Sequence, residues 1–222
     1  MNESPADSSS DNSVDAVLIE RLATGDTDAL ADAFDRYRPK LWRMVRFRMD
    51  PRLATRVDPD DVLQESYLNA ASRVRHYLSD TSRSLFVWFR LIVGQTLVDV
   101  HRRHLKAEKR DAHRDVLLGE VRYPQAPSVS LAAELIGSIT SPSHAVARDE
   151  VQQQLENAIS SMTEIEQEII ALRHFEHLSN SEVAEVLDIR PTAASNRYVR
   201  AISRLKDILR DIPDFFDGQS IE

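Results

Sequence analysis

The chain has 222 residues, 42% of them hydrophobic and five of them glycine, so it is long enough for one large or two small domains with buried cores. It contains no cysteine, which excludes disulfides and thiolate metal sites, and no apolar run approaches the roughly 20 residues of a membrane span. The acidic, serine-rich start is unlike a signal peptide. We therefore expect a soluble, cytoplasmic protein.

The formal net charge of −8 comes from the two ends of the chain. Residues 1–15 and residues 211–222 each hold four acidic side chains and no lysine or arginine, so the body between them is formally neutral. Two segments of that body are basic: residues 101–114 hold six Lys/Arg against two acids, and residues 190–206 hold five against none. Such segments indicate two sites for an anion, nucleic acid foremost, although two solvated helix faces would give the same pattern.

The first segments in chain order are a tail and a broken helical stretch. Residues 1–13 have the composition of a disordered tail. From residue 14 the pattern is helical, with a break at Gly25-Asp26. Apolar residues recur at helical spacing after the break, which predicts a core stripe. The stripe consists of Phe34, Tyr37, Leu41 and Val45.

A second helical segment opens at Asp58, a good N-cap, with Pro59 at the first helical position. Three of its residues are predicted to face the core: Val62, Tyr67 and Ala71. A polar break at residues 79–84 then precedes a long helix that is apolar at first and basic at its end.

The second half contains two S/T-x-x-E capping boxes that open helices, Thr163 with Glu166 and Ser179 with Glu182. Ile165, Ile169 and Leu172 form an apolar stripe after the first box. The predicted fold class is therefore all-α, with two small helical domains joined by a linker. The predicted bounds are a domain at 14–112, a linker at 113–140 with one short helix near residue 130, a domain at 141–210 and an acidic tail at 211–222.

A short capped helix, a tight turn and a longer basic helix form the pattern of a helix-turn-helix in the C-terminal domain. In that motif the N-terminal residues of the second helix face base edges, where Asn pairs with adenine and Arg with guanine for about 1–3 kcal/mol of discrimination. Here these residues are Thr192, Ser195, Asn196 and Arg197. Arg200 and Arg204 are placed for phosphates. Ordinary surface arginines remain the alternative.

Several motifs, in order, resemble the extracytoplasmic-function (ECF) sigma factors, the promoter-recognition subunits of bacterial RNA polymerase. They are "LIERLATGDTDALADAFDRY", "DPDDVLQESYLNA", "VWFRLIVGQTLVDVHRRH", "SPSHAVARDEV" and "LSNSEVAEVLDI". The resemblance covers almost all of residues 14–209. It implies that the chain binds core RNA polymerase and directs promoter recognition, strand opening and transcription initiation.

The resemblance also assigns roles to residues. The acidic helix would dock on polymerase through Asp61, Gln64, Glu65 and Leu68, which lie three and four apart and hence on one face. The downstream element would be held and melted by Arg83, Trp88, Arg90, Gln95, Arg102, Arg103 and Lys106, with cations and stacking surfaces of the kind that single strands need. The upstream element would be bound by Arg190, Thr192, Ser195, Asn196, Arg197, Arg200 and Arg204. For Trp88 and its neighbouring aromatic residues a core position is the competing interpretation.

The family pattern is not matched everywhere. Gln95 stands where Asn is usual, Asp188 where Gly is usual, and Arg190 where a Ser or Thr cap is usual, which leaves the promoter sequence open. The implied partners are core RNA polymerase, promoter DNA and an anti-sigma factor as one means of control.

Other classes of protein match the sequence less well. A helix-turn-helix regulator not bound to core polymerase remains the alternative. The sequence has no catalytic signature, and we expect neither enzymatic activity nor a cofactor. His101 and His104 are spaced i, i+3, a weak indication of a metal site.

Overall fold

The computed structural model describes residues 6–105, 130–132 and 145–210. The chain divides into two units, Met1–Pro124 and Gln125–Glu222. Within the described ranges both units are helical and contain no strand, so the predicted all-α fold class is confirmed. Residues 130–132 are helical, as predicted near residue 130; the rest of the predicted linker, Lys106 and the acidic tail at 211–222 lie outside the described residues.

The first unit contains four described helices. They are α1 (Ala6–Ala23), α2 (Asp28–Arg48), α3 (Pro59–Ser79) and α4 (Leu85–Leu105). The predicted break between α1 and α2 is present, and Gly25 there has φ +86°, a left-handed conformation that glycine adopts at no steric cost. Helix α1 begins at Ala6, within the residues 1–13 that the sequence predicts to be a disordered tail.

The core of the first unit is built on α2, which packs against α1, α3 and α4. All four residues of the predicted stripe are buried. The ring of Phe34 meets Tyr67 of α3 and Phe89 of α4 edge-on, at centroid distances of 5.4 and 5.2 Å, as aromatic quadrupoles favour. Val62 is also buried, but Ala71 is exposed and Ala70 is fully buried in its place, because the inward face of α3 is rotated by one residue at that turn.

The second unit contains α5 (Ala145–Ser160), α6 (Glu164–Ile170), α7 (Asn180–Val186) and α8 (Pro191–Arg210), and α6 continues into a π-helical turn at Ala171–Phe175. Both predicted capping boxes are formed. Ile169 and Leu172 are fully buried as predicted, whereas Ile165 is 38% exposed because it lies in the first turn of α6, at the edge of the core.

No helix among the described residues is both long and apolar enough to cross a membrane.

Candidate functional site

The first feature is an exposed face on α3. The helix is started by the Asp58 carboxylate, which accepts a hydrogen bond from the Asp60 backbone N–H at 2.8 Å. Asp61, Gln64 and Leu68 are exposed along one side of the helix, and Glu65 is partly buried. Leu68 is 64% exposed and adds an apolar side chain to this face. The four predicted docking residues thus share an accessible face.

Glu65 is joined to α4 by an ion pair. The Arg103 Nη2 atom donates to both carboxylate oxygens of Glu65, at 2.6 and 2.8 Å, and both side chains are about half exposed. A residue predicted to dock on protein is therefore bonded to one predicted to bind DNA. Sequence reasoning missed this contact because the two residues are 38 positions apart.

The loop between α3 and α4 is tied to an aromatic stack. The ring of Trp88 stacks on Tyr77 with centroids 4.5 Å apart, and the Tyr77 hydroxyl donates to the Arg83 carbonyl oxygen at 3.1 Å. Trp88 also contacts Phe89, and only part of it is exposed. Arg83 itself is exposed. Trp88 is thus packed into the unit and at the same time supports the loop that carries Arg83.

The remaining predicted residues of α4 differ in accessibility. Arg90 is only 1% exposed, so in this conformation it is not available to a DNA strand, and its predicted contact is not supported. The reason is that the first turns of α4 are buried on nearly every side, which a sequence pattern does not reveal for an arginine. Gln95 Nε2 donates to the Asp99 carboxylate at 3.2 and 3.3 Å. Arg102, at the basic end of α4, is exposed, with Asp99 as a loose partner at 3.9 Å.

His101, on α4, makes a hydrogen bond to the turn before α3. His101 Nε2 accepts a hydrogen bond from the Asp50 backbone N–H at 3.3 Å, and burial lowers the pKa of His101, which favours the neutral ring that this bond requires. In the part of the chain that the structure describes, no group of three or more His, Cys, Asp or Glu side chains is placed to hold a metal ion.

The second feature is the helix-turn-helix formed by α7 and α8. Asp188 in the turn has φ +52°, and the Ile189 N–H donates to the Ala184 carbonyl at 2.9 Å. The Asn180 side chain donates to the Pro191 carbonyl at 2.9 Å, which ties the start of α7 to the start of α8. The Arg190 carbonyl accepts from the Ala193 and Ala194 N–H groups at 2.9 and 3.0 Å, consistent with Pro191 at the first helical position.

Helix α8 has one buried and one exposed face. Ala194, Ala201, Leu205 and Leu209 are buried in the unit. All seven predicted upstream-element residues are exposed: Arg190, Thr192, Ser195, Asn196, Arg197, Arg200 and Arg204. Val199 lies on the same outward face, four residues after Ser195, and is 61% exposed. The sequence analysis did not single out Val199, although its spacing of four residues from Ser195 predicts that both lie on the same face of a helix.

Two arginines hold α8 in place through contacts within the second unit. Arg204 donates to Glu166 at 3.0 Å and to the Ser161 carbonyl at 2.8 Å, so the residue predicted to bind phosphate holds α8 against the start of α6. Arg173 was not predicted; its Nη1 donates to the Leu178 carbonyl at 2.6 Å and its guanidinium lies 5.5 Å from the centroid of the Tyr198 ring. Arg173 thereby links the π-helical turn, the residues before α7, and α8.

Comparison with known proteins finds similarity to bacterial sigma factors. Residues 152–205 match the family model "Sigma-70, region 4". The chain is 24% identical over 194 residues to the ECF RNA polymerase sigma factor SigW of Bacillus subtilis, covering 87% of this chain and 96% of the relative. It is 25% identical over 200 residues to the RNA polymerase sigma-H factor of Pseudomonas aeruginosa, with 89% and 95% covered.

The chain is similar over most of its length to ECF RNA polymerase sigma factors. A third relative, the ECF RNA polymerase sigma-E factor of Haemophilus influenzae, is 23% identical over 198 residues and is matched over 96% of its length. A solved structure of CnrH in complex with the cytosolic domain of CnrY aligns with 88% of this chain at 21% identity, with a TM-score of 0.49. The family-model match covers much of the second unit, including α7 and most of α8, whereas the similarity to the relatives extends over most of the chain.

Proposed function

We propose that this chain is a sigma subunit that binds bacterial core RNA polymerase and directs promoter recognition, strand opening and transcription initiation. The observation that carries the proposal is that α8 presents an exposed polar and basic face on a helix-turn-helix, in a chain that is similar to ECF sigma factors and whose α3 presents an exposed, partly acidic face. We assign the proposed domain at 14–112 to polymerase docking and promoter melting, and the domain at 141–210 to the upstream element.

The docking role is proposed for Asp61, Gln64, Glu65 and Leu68. Carboxylates are repelled by the DNA backbone, so an exposed acidic face points to a protein partner. An exposed leucine beside those acids supplies apolar contact at the centre of such an interface.

Downstream-element binding is proposed for Arg83, Arg102 and Arg103, with Trp88 and Gln95 as supporting residues. Cationic side chains neutralise the backbone of a separated strand, and a loop fixed on an aromatic stack offers a rigid support for an unpaired base. Lys106 remains a proposed phosphate contact. Arg90 is left out because it is buried.

Upstream-element binding is proposed for α8. Ser195, Asn196 and Arg197 lie in its second turn, where a recognition helix meets base edges, and Thr192 and Arg190 lie at its start. Arg200, one turn further on, is placed for a phosphate. We assign no catalytic step and no cofactor to the chain. A sigma subunit acts where polymerase and chromosome are, which places the protein in the cytoplasm, and an anti-sigma factor is a candidate for its control.

The proposal is tested by run-off transcription from genomic DNA fragments with core polymerase, with and without this chain. We expect new start sites. The Glu65→Arg variant should lose core affinity by at least about 30-fold, since breaking an interfacial charge contact costs about 2–5 kcal/mol. The Arg197→Ala variant should bind core normally and weaken or shift promoter selection by about 5- to 150-fold. Matched controls are Asp35→Arg and Arg210→Ala, exposed residues outside both proposed surfaces.

A charge swap separates docking from structure. The double variant Glu65→Arg with Arg103→Glu restores the ion pair in reverse. If Glu65 serves only to hold Arg103, the swap restores core binding; if Glu65 contacts polymerase, the swap remains defective. Failure of the unaltered chain to associate with core, together with specific binding to a palindrome, would favour the helix-turn-helix regulator instead.

A further inference from the structure

The turn between α2 and α3 is a fixed element with an arginine-bearing outer side. Backbone hydrogen bonds close successive turns, from the Leu53 N–H to the Asp50 carbonyl and from the Arg56 and Val57 N–H groups to the Leu53 carbonyl. Leu53 and Val57 are buried, whereas Arg52 and Arg56, four residues apart, are exposed. The apolar residues thus anchor the turn, and both arginines lie on its solvent side.

The charge around this turn is unbalanced. Residues 40–56 hold six Lys/Arg and one acidic residue, Asp50, in a body that is formally neutral as a whole. None of these arginines belongs to the surfaces proposed above. A segment with so large an excess of basic residues attracts anions regardless of its sequence detail.

The turn is joined to the basic end of α4. The Asp50 N–H donates to His101 Nε2 at 3.3 Å, which holds the turn against the last turns of α4. The Asp50 carboxylate in turn accepts from Arg52 Nε at 3.0 Å and Nη2 at 2.6 Å, which fixes the direction of that guanidinium. His101 immediately precedes Arg102 and Arg103, so two basic segments that are far apart in sequence meet at this histidine.

We infer that Arg52 and Arg56 form a binding site for backbone phosphates of duplex DNA, contiguous with the basic end of α4. A guanidinium is suited to phosphate oxygens because its planar donors match their geometry. A site on a hydrogen-bonded turn that two buried residues anchor is preorganised, and the bonds to Asp50 already order the Arg52 side chain. The inference rests on the proposed function only in naming DNA as the polyanion.

The salt dependence of DNA binding tests the site directly. Filter binding of the full chain to a duplex of arbitrary sequence gives the slope of log Kobs against log salt concentration, which changes by about 0.9 for each phosphate contact. We expect Arg56→Gln to flatten the slope by about 1 and the double variant Arg52→Gln with Arg56→Gln by about 2. Lysine at both positions should restore the slope. Arg38→Gln, an exposed arginine of α2 that pairs with Asp60 at 2.8 Å, is the matched control and should leave the slope unchanged.

Three results would overturn the inference: a slope for the double variant no flatter than that of Arg38→Gln, an effect confined to single-stranded DNA, or no binding of the full chain to duplex at low salt. Thermal unfolding of each variant confirms that the slope is measured on folded protein. Association with core polymerase is scored separately. A chain that fails to bind core but shows these slopes removes the proposed function and keeps the site, and the reverse result removes only the site.

Discussion

Asp188 is the residue whose conformation most constrains the helix-turn-helix. Its φ of +52° places it in the left-handed region, which costs most residues about 1–2 kcal/mol because Cβ approaches the following carbonyl oxygen, and which Asp tolerates better than most. The family usually has Gly at this position, and the backbone of this chain keeps the conformation that suits Gly.

The stability of variants at position 188 should therefore follow how readily each residue adopts a left-handed backbone conformation. We expect Asp188→Gly to be at least as stable as the unaltered chain and Asp188→Val to lose about 1–2 kcal/mol, since a β-branched residue is least compatible with positive φ. Thermal unfolding followed by circular dichroism measures the ranking. A valine variant as stable as the parent would mean that the turn adopts another backbone conformation at little cost.

Asp50 gives the first unit an acid-sensitive contact. Hydrogen bonds from Arg52 lower the pKa of Asp50 to about 2, below its ordinary 3.8. Because the folded pKa lies below the unfolded one, the stabilisation is present above about pH 4 and is lost as the pH falls toward about 2. We expect Asp50→Asn to lower the melting temperature at neutral pH, and the gap from the parent to close over that range. A gap that is constant with pH would contradict the assignment.

At the residue scale, local signals were predictable and burial was not. The caps at Asp58, Thr163 and Ser179 depend on side chains within three residues, so the sequence contains all that is needed. The burial of Arg90 and the exposure of Ala71 depend on which neighbours cover each face of a helix, and those neighbours come from elsewhere in the chain.

At the scale of elements, α8 separates arginines that face outward from one that holds the helix in place. Arg200 is exposed on the outward side, whereas Arg204 bonds to Glu166 and to the Ser161 carbonyl. The two residues are one turn apart and were both predicted to bind phosphate. The two arginines differ in their contacts because of the position of α6. That position cannot be inferred from the spacing of residues within α8.

Paired substitutions should resolve the two roles. We expect Arg200→Gln to flatten the salt dependence of promoter binding by about 1 without changing the melting temperature. Arg204→Gln should lower the melting temperature, because α8 loses its bonds to α6, and should leave the salt dependence nearly unchanged. Equal salt effects from both variants would show that Arg204 leaves Glu166 to bind phosphate.

The order and type of the elements could largely be predicted because apolar spacing and caps recur along the whole chain. The contacts that join the elements to one another could not be predicted. The ion pair between Glu65 and Arg103, like that between Glu166 and Arg204, joins residues 38 positions apart. Arg173 lies in a π-helical turn, and its contact with Tyr198 depends on how that turn meets α8.

At the scale of the whole molecule, the acidic ends dominate the net charge. Deleting residues 1–13 and 211–222 removes seven of the eight acidic residues counted in the two ends. The remaining range, 14–210, keeps Asp15, whose carboxylate accepts a hydrogen bond from the Tyr37 hydroxyl and ties α1 to α2. A cut after Asp15 would break that tie, so the deletion has to stop before it.

We expect the 14–210 chain to bind duplex DNA more tightly than the full chain at low salt, because acidic ends compete with phosphate for the basic faces. The gain should disappear at about 1 M salt, where charges are screened beyond about 3 Å. A full-length variant with Asn and Gln in place of the seven acids of residues 1–13 and 211–222, and with Asp15 kept, is the control and should behave like the deletion. Equal affinity of the deleted and full chains would remove the competition hypothesis.

The stack of Trp88 on Tyr77 also makes the loop before α4 optically observable. The chain has two tryptophans, Trp42 and Trp88, and both lie in the first unit. Since the Tyr77 hydroxyl holds the Arg83 carbonyl, any displacement of that loop shifts one partner of the stack and with it the environment of the indole. A chain with Trp42→Phe would carry a single tryptophan, beside the loop, and its emission would follow strand capture in real time without a dye on protein or DNA.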